Sequence, residues 1–202
     1  MTEEAHDNSP VLHPGGNPQG KGITLVLEQL AGLAPRGVNA KSLEQVLADY
    51  WQSTLVLSAD FNFRVIPGKG YYLYRSERWL LSLISPEEWG GRAPGVFVAE
   101  CELANDATWR VAFADEALAS PAVVDALGMF LEGFEHRLKS AATLSEALPE
   151  YEAGLPYQQR MMATALTASL RHSAQLSGCA ATSPALAKAD WQALLSLELL
   201  RL

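Results

Sequence analysis

Apolar residues recur at helical spacing in the first sixty residues. Ile23, Val26, Leu27 and Leu30 predict a short helix that ends near Gly32 and Pro35. A second helix is predicted from Ser42, because Ser42 and Gln45 fit a capping box. Apolar or aromatic residues then follow at spacings of three and four: Leu43, Val46, Leu47, Tyr50, Trp51 and Leu57, with Thr54 on the same face.

Between residues 61 and 113 the pattern changes to alternation, which is the period of a β-strand. The predicted strands are Phe61–Val65, Tyr71–Tyr74, Trp79–Ile84, Val96–Leu103 and Trp109–Phe113. Turn residues lie at Pro67–Gly70 and at Asn105-Asp106, and a bend is expected at Arg75–Arg78. Links of two to five residues are too short for a crossover, so we expect an antiparallel meander of four or five strands. The segment Ser85–Gly95 is a longer corner.

Helical spacing returns after residue 114. Ser120-Pro121 and Ser183-Pro184 are helix-start signals, and Pro156 begins another helix that Gly178 closes. The stripe from Val123 to Leu138 is broadly apolar. The segment Leu186–Leu202 is apolar on more than one face, which indicates burial in its own domain or against another copy.

These patterns predict an α+β fold in which N-terminal helices and a helical C-terminal half pack on an antiparallel β-meander. We divide the chain into a flexible, Gly- and Pro-rich segment over residues 1–22, a helix-plus-β-meander domain over 23–114, and a helical region over 115–202 that packs on it.

Composition restricts the function classes. The chain has 202 residues, 49% of them hydrophobic, and a net charge of −8. This charge disfavours a general nucleic-acid binder or an anionic membrane surface as partner. Two cysteines, Cys101 and Cys179, are too few for a disulfide framework. Residues 1–7 are acidic and polar, without the basic start and apolar core typical of a signal peptide, and no run of 18 apolar residues occurs. We therefore expect a cytoplasmic protein without a membrane span.

The β region resembles a known but uncharacterised bacterial family, a domain of unknown function. The resemblance is carried by Tyr71-Tyr72-Leu73-Tyr74 and by the run from Leu81 to Gly90, which reads LSLISPEEWG, and it extends over residues 60–113. The segment Asn17–Gly22 is similar to the start of one subgroup. The resemblance implies a shared fold for this segment. It implies no activity, ligand or catalytic residue.

Aromatic and basic residues of the β region form one candidate binding surface. A stacking platform with cationic flanks is typical of single-strand nucleic-acid binding. A small sheet packed by aromatics with a solvated, charge-balanced face is the competing interpretation, and the even charge of this region favours it. The candidate residues are Tyr72, Tyr74, Arg75, Arg78, Trp89 and Arg92.

Other motifs do not support catalysis. Gly15–Gly22 matches part of a phosphate-binding loop, but Gly22 replaces the Ser/Thr, Pro18 removes an N–H, and no strand precedes it. Glu87-Glu88 is typical of a capped turn. Glu132 and His136 form one i, i+4 pair without a second. Cys101 fits a small core residue. We expect no catalytic residue, no metal and no cofactor.

The leading functional interpretation is therefore a non-enzymatic protein-interaction module that self-associates or binds a protein partner. Its candidate interface is the apolar C-terminal segment, represented by Trp191, Leu195 and Leu199. The alternative is a ligand- or nucleic-acid-binding module that uses the aromatic and arginine-rich face of the sheet.

Overall fold

The computed structural model describes residues 35–141, 144–148 and 154–178. Four strands form one antiparallel sheet, and the longer helices share one hydrophobic core with it. The strands are β1 (Gly70–Arg75), β2 (Trp79–Ser82), β3 (Val96–Leu103) and β4 (Trp109–Phe113). The helices are α1 (Leu43–Leu57), α2 (Pro86–Trp89), α3 (Asp115–Leu118), α4 (Pro121–Ser140), α5 (Leu144–Ala147) and α6 (Tyr157–Leu176). The predicted α+β class is confirmed.

Helix α1 begins at the predicted capping box. The Ser42 hydroxyl accepts from the Gln45 N–H, and the Gln45 side-chain oxygen accepts from the Ser42 N–H. From Val46 onward α1 is buried on more than one face, because β4 lies on one side and helices α4 and α6 lie on others. The buried Ser53 hydroxyl accepts from the Trp109 N–H at 2.9 Å, which satisfies a backbone donor on the edge of β4.

The strand order is β2-β1-β3-β4, which corrects the simple meander. Strand β1 lies between β2 and β3 and is antiparallel to both, so β2 and β3 run parallel to each other. Parallel strands need a crossover of about a dozen residues, and residues 83–95 supply it. The predicted long corner is therefore the link that crosses the sheet.

The crossover passes over the sheet face opposite the long helices. Tyr74 points to this face and is fully buried, and its hydroxyl donates to the Ile84 carbonyl at 2.9 Å. Helix α2 sits in the crossover. It begins with a second capping box, in which the Glu88 carboxylate accepts from the Ser85 N–H and the Ser85 hydroxyl accepts from the Glu88 N–H. This confirms the capping interpretation for Glu88.

The predicted strand over residues 61–65 does not form. Alternate side chains of this segment do face the core, since Val65 is buried and Phe61 and Phe63 are partly buried. Asp60 makes a single parallel bridge to Leu80, and no ladder continues from it. Side chains hold the extended segment instead: the Tyr71 hydroxyl accepts from the Ile66 N–H, and the Gln158 amide donates to the Phe63 carbonyl.

The hydrophobic core is continuous from α1 and the sheet to α4 and α6. Helix α4 begins at Ser120-Pro121 and α6 begins after Pro156, as predicted. Gly178 follows α6 with a φ of +74°, which is the predicted glycine stop. Phe134 of α4 contacts Tyr50 of α1, with ring centroids 5.8 Å apart.

Several predicted features lie outside the described residues. These are the segment 1–22, the helix predicted from Ile23, Cys179, and the C-terminal helix from Ser183 that carries Trp191, Leu195 and Leu199. None of the helices in residues 35–141, 144–148 and 154–178 has the length and apolar character needed to cross a membrane.

Replacing Gly95 by Ala is expected to destabilise the fold. A Cβ at this position would lie 2.4 Å from the Arg75 carbonyl oxygen, where the crossover returns to the end of β1. Because backbone must move to relieve this overlap, we expect a loss of about 1–3 kcal/mol in the free energy of unfolding, measured by urea denaturation.

Gly133→Ala is the matched control. Gly133 lies on the exposed side of α4, and a Cβ there meets no atom within 4 Å. We expect this change to stabilise the protein by up to about 1 kcal/mol through helix propensity. Equal unfolding free energies for the two variants would contradict the close approach at Gly95.

Candidate functional site

A polar cleft of about 740 Å³ lies between the segment before α1, the first turns of α1 and the β3–β4 turn. Its volume is in the range of sites that hold small molecules. Most of its lining side chains are polar or charged. The lining residues are Arg36, Gly37, Asn39, Lys41, Gln45, Asp49, Ala104, Asn105, Asp106, Thr108 and Arg110.

One wall of the cleft is residues 35–41, which we call the strap. The strap is attached to the β3–β4 turn, because the Arg36 N–H donates to the Asn105 carbonyl at 2.8 Å. On another side it is attached to α6: the hydroxyls of Ser173 and Ser177 donate to the carbonyls of Asn39 and Lys41. The strap is thus fixed by two separate parts of the chain.

Lys41 forms the central ion pairs of the cleft. Its Nζ lies 2.7 Å from Asp49 Oδ2 on α1 and 2.8 Å from Asp106 Oδ2 in the β3–β4 turn. Asp106 Oδ1 also accepts from the hydroxyl and the N–H of Thr108, at 2.6 and 3.2 Å. The turn includes Ala107 with a φ of +66°, an uncommon conformation for a residue with a side chain.

These contacts shift two pKa values in opposite directions. Burial alone would lower the pKa of Lys41, but its hydrogen bonds and charge interactions with Asp106 and Asp49 outweigh burial and raise the pKa above 10.5. Burial alone would raise the pKa of Asp106, but hydrogen bonds from Lys41 and Thr108 hold it below 3.8. Lys41 and Asp106 are therefore both charged at neutral pH.

Hydrogen-bond donors dominate what the cleft offers to a ligand. Within the described residues, the Arg36 guanidinium and the side-chain amides of Asn39 and Asn105 make no hydrogen bond or ion pair. Arg110 makes a long ion pair of 3.5 Å with Glu102 at an exposed position. An exposed pair of this length is weak, so Arg110 is able to exchange it for a ligand.

The aromatic residues predicted to bind lie on the crossover face of the sheet. Tyr72 is partly exposed and contacts Phe97, with ring centroids 6.3 Å apart. Tyr74 is buried and packs on Phe97 at 5.7 Å. Burial raises the pKa of Tyr74 to about 12, with the nearby Glu87 charge adding to the effect and the Trp89 indole N–H opposing it. Tyr72, Tyr74 and Trp89 are therefore brought together.

Two of the basic residues predicted to bind, Arg75 and Arg78, do not join this aromatic group. Arg75 points to the opposite face from Tyr74, because successive strand residues alternate, and its guanidinium lies 4.9 Å from the Trp79 ring centroid. Arg78 pairs with Asp60 at 3.1 Å in an exposed position. Arg92 is exposed beyond the end of α2, where its backbone N–H donates to the Trp89 carbonyl at 3.1 Å.

Most of the apolar stripe predicted on α4 is buried in the protein's own core. Its Val123, Leu127, Phe134 and Leu138 are buried in the core. Val124 and Met129 remain exposed, at 46% and 65%. The candidate interface residues Trp191, Leu195 and Leu199 lie outside the described residues.

Cys101 is buried in the core of the sheet, as predicted, and burial raises the pKa of its thiol far above the ordinary value. Glu132 and His136 both lie exposed on α4. Across the described ranges, no three His, Cys, Asp or Glu side chains gather in a way that suits a metal ion.

Sequence reasoning missed the cleft. The local signals were visible, since Ser42-Gln45 indicated a helix start and Asn105-Asp106 indicated a turn. The pairing of Lys41 with Asp106 joins residues 65 positions apart. Nothing in a single sequence links a lysine before one helix to an aspartate in a distant turn.

Comparison with known proteins gives a family without an assigned activity. Residues 22–118 match the model of a family described as Protein of unknown function (DUF2452). This supports the resemblance to an uncharacterised family, over a longer segment than residues 60–113. All lining residues of the cleft fall within the matched segment. No solved structure shows a significant match to the chain.

Asp106→Asn is expected to lower the free energy of unfolding at pH 7. It should also make that free energy fall less as the pH is lowered. The variant removes one charge partner of Lys41, so we expect a loss of about 1–3 kcal/mol in the free energy of unfolding at pH 7. Because the pKa of Asp106 is lower in the folded state, its contribution is present above about pH 4 and is lost as pH falls through the folded pKa.

Urea denaturation of the wild type and the variant between pH 7 and pH 3 tests this expectation. The difference between the two proteins should shrink as the pH falls. Asp125→Asn, an exposed aspartate on α4, should change the unfolding free energy by less than about 0.5 kcal/mol at every pH. A difference for Asp106→Asn that stays constant down to pH 3 would show that its charge is not the cause.

Proposed function

We propose that this protein is a non-enzymatic binding module and that the polar cleft is its ligand site. The observation that supports this most strongly is the cleft itself: a concave, polar site of about 740 Å³. Its walls come from the strap, α1 and the β3–β4 turn, and they are connected by the Lys41 ion pairs. A site assembled in this way is formed before the ligand arrives, which reduces the entropy lost on binding.

The charged groups of the cleft support binding more than catalysis. Lys41 is paired with Asp49 and Asp106, and the opposite charges at these distances keep Lys41 and Asp106 ionised. A general base or acid needs a pKa near the working pH and a partner on the substrate. The shifts of Lys41 and Asp106 carry both groups away from neutrality, which is the behaviour of a structural ion-pair network.

The proposal retains the binding class of function but moves the site from the aromatic face to the cleft. Tyr74 uses its hydroxyl on the Ile84 carbonyl and is fully buried, and Arg75 lies on the other face. The aromatic face keeps Tyr72 as a partly exposed ring. The cleft offers more free polar groups, and they converge on one space.

A second candidate is self-association or binding of a protein partner. It is favoured by the exposure of two large apolar side chains on α4, Met129 and Val124. Methionine is enriched in protein interfaces. The apolar C-terminal segment with Trp191, Leu195 and Leu199 extends this proposal. Of the two candidates, the cleft has the better-defined geometry.

The cleft proposal predicts that small polar metabolites perturb one set of backbone amides. A library balanced among anionic, neutral and cationic compounds is screened against the ¹⁵N-labelled full chain by NMR. We expect binders to shift the amides of the strap and of residues 104–110. Asn39→Tyr should weaken these effects by filling the cleft, and Asn62→Tyr, an exposed position in the loop before β1, should not.

Both variants are first checked for a wild-type melting temperature. Shifts that map to Tyr72 and Trp89 instead would place the ligand on the aromatic face and overturn the cleft as the site. No response of the strap or of residues 104–110 to any compound would also overturn it.

The self-association candidate predicts a dimer that apolar-to-polar changes dissociate. Analytical ultracentrifugation of the full chain should show a dimer whose Kd rises about tenfold or more with Leu195→Gln/Leu199→Gln or with Met129→Gln. Lys188→Gln, in the same C-terminal segment as Leu195, is the control and should leave the Kd unchanged. A wild-type monomer whose stability is unaffected by these changes would overturn self-association.

A further inference from the structure

The two carboxylates of the cleft have little left to offer a ligand. Asp106 Oδ2 accepts from Lys41 Nζ, and Asp106 Oδ1 accepts from the hydroxyl and the backbone N–H of Thr108. Asp49 Oδ2 is used on Lys41 as well. Because Lys41 lies between them, their negative charge is partly compensated within the wall. A cationic ligand would have to compete with a lysine that is already in place.

The groups that remain for a ligand are mostly hydrogen-bond donors, and the arginines among them carry positive charge. Arg36 lies on the strap and Arg110 lies on β4, so guanidinium groups line two different walls. The amides of Asn39 and Asn105 add neutral donors. The amino end of α1 also opens at the cleft, since Gln45 in its first turn lines it, and this end of a helix carries partial positive charge.

We infer that the cleft binds a small soluble molecule through an oxyanion, a carboxylate or phosphate group, that Arg36 and Arg110 hold from two different walls. This inference rests on the proposed function of the cleft. Guanidinium groups match the geometry of both oxyanions and hydrogen-bond them in pairs. The oxyanion displaces Glu102 as the partner of Arg110, which costs little because that ion pair is long and exposed.

The site differs from a nucleic-acid surface. A phosphate backbone needs a row of cations, and the whole chain has a net charge of −8. Two arginines in a cleft of this size instead fit one anionic group on a molecule of limited size. The cleft volume leaves room for the neutral remainder of such a molecule beside the asparagine side chains.

The test titrates the full-length ¹⁵N-labelled protein with sodium phosphate and, separately, with sodium acetate, each against sodium chloride at equal ionic strength. We expect saturable NMR shifts of the strap and of residues 104–110 with at least one of the two anions. The response to each identifies which oxyanion the site prefers. Raising the salt concentration should weaken the binding, because the arginines are partly exposed.

Arg36→Gln and Arg110→Gln should each weaken the anion affinity about fivefold to tenfold, since each removes a charge-assisted hydrogen bond in a solvated site. Arg92→Gln is the matched control: this exposed arginine does not line the cleft, and its loss should leave the affinity unchanged. Equal affinity in the wild type, Arg36→Gln and Arg110→Gln would overturn the assignment of the arginines.

The results separate this inference from the proposed function. Cleft amides that respond to neutral or cationic library compounds, but not to phosphate or acetate, overturn the oxyanion inference and leave the cleft as a ligand site. Cleft amides that respond to no compound in either experiment overturn both.

Discussion

Burial of α1 from several sides is the constraint on which the rest of the structure depends. Tyr50 faces Phe134 of α4, and Trp51 lies near Phe113 of β4. The Ser53 hydroxyl accepts from the backbone N–H of Trp109. Each large side chain buried in this way contributes about 1.5–3 kcal/mol. Because α1 is held by the sheet and by two later helices, its amino end has a defined position, and Lys41 and Asp49 are placed beside the β3–β4 turn.

The cleft depends on a part of the chain that the family match does not cover. The matched segment ends at residue 118, but Ser173 and Ser177, which hold the strap, belong to α6 and to the residue that follows it. Leu166 and Leu170 of the same helix are fully buried in the core. The matched segment contains every lining residue of the cleft, whereas α6 fixes one of its walls. Stability and ligand binding are therefore expected to be coupled through the strap.

The strand order explains why the tyrosine-rich strand is not an open platform. With β1 in the middle of the sheet, the link from β2 to β3 has to cross one of its faces, and it covers Tyr74 there. Gly95 allows the link to rejoin the sheet next to the Arg75 carbonyl. The same aromatic residues that suggest stacking on a ligand thus pack against the protein's own crossover.

The sequence by itself determined most local structure in the described residues. The capping boxes at Ser42 and Ser85, the prolines at the starts of α2 and α4, and the alternation in β3 act over a few residues, so their effects are visible in the chain. Phe61–Val65 shows the limit of such signals: the alternation is real, but a strand also needs a partner to complete a ladder.

Only the tertiary structure decided the strand order, the covering of Tyr74 and the cleft. These features join residues far apart in sequence, such as Lys41 with Asp106 and Asn39 with Ser173. Their energies come from desolvation and from charges brought within hydrogen-bonding distance, and neither quantity exists until the chain has folded. Local sequence patterns do not show which distant residue will become a neighbour in the folded protein.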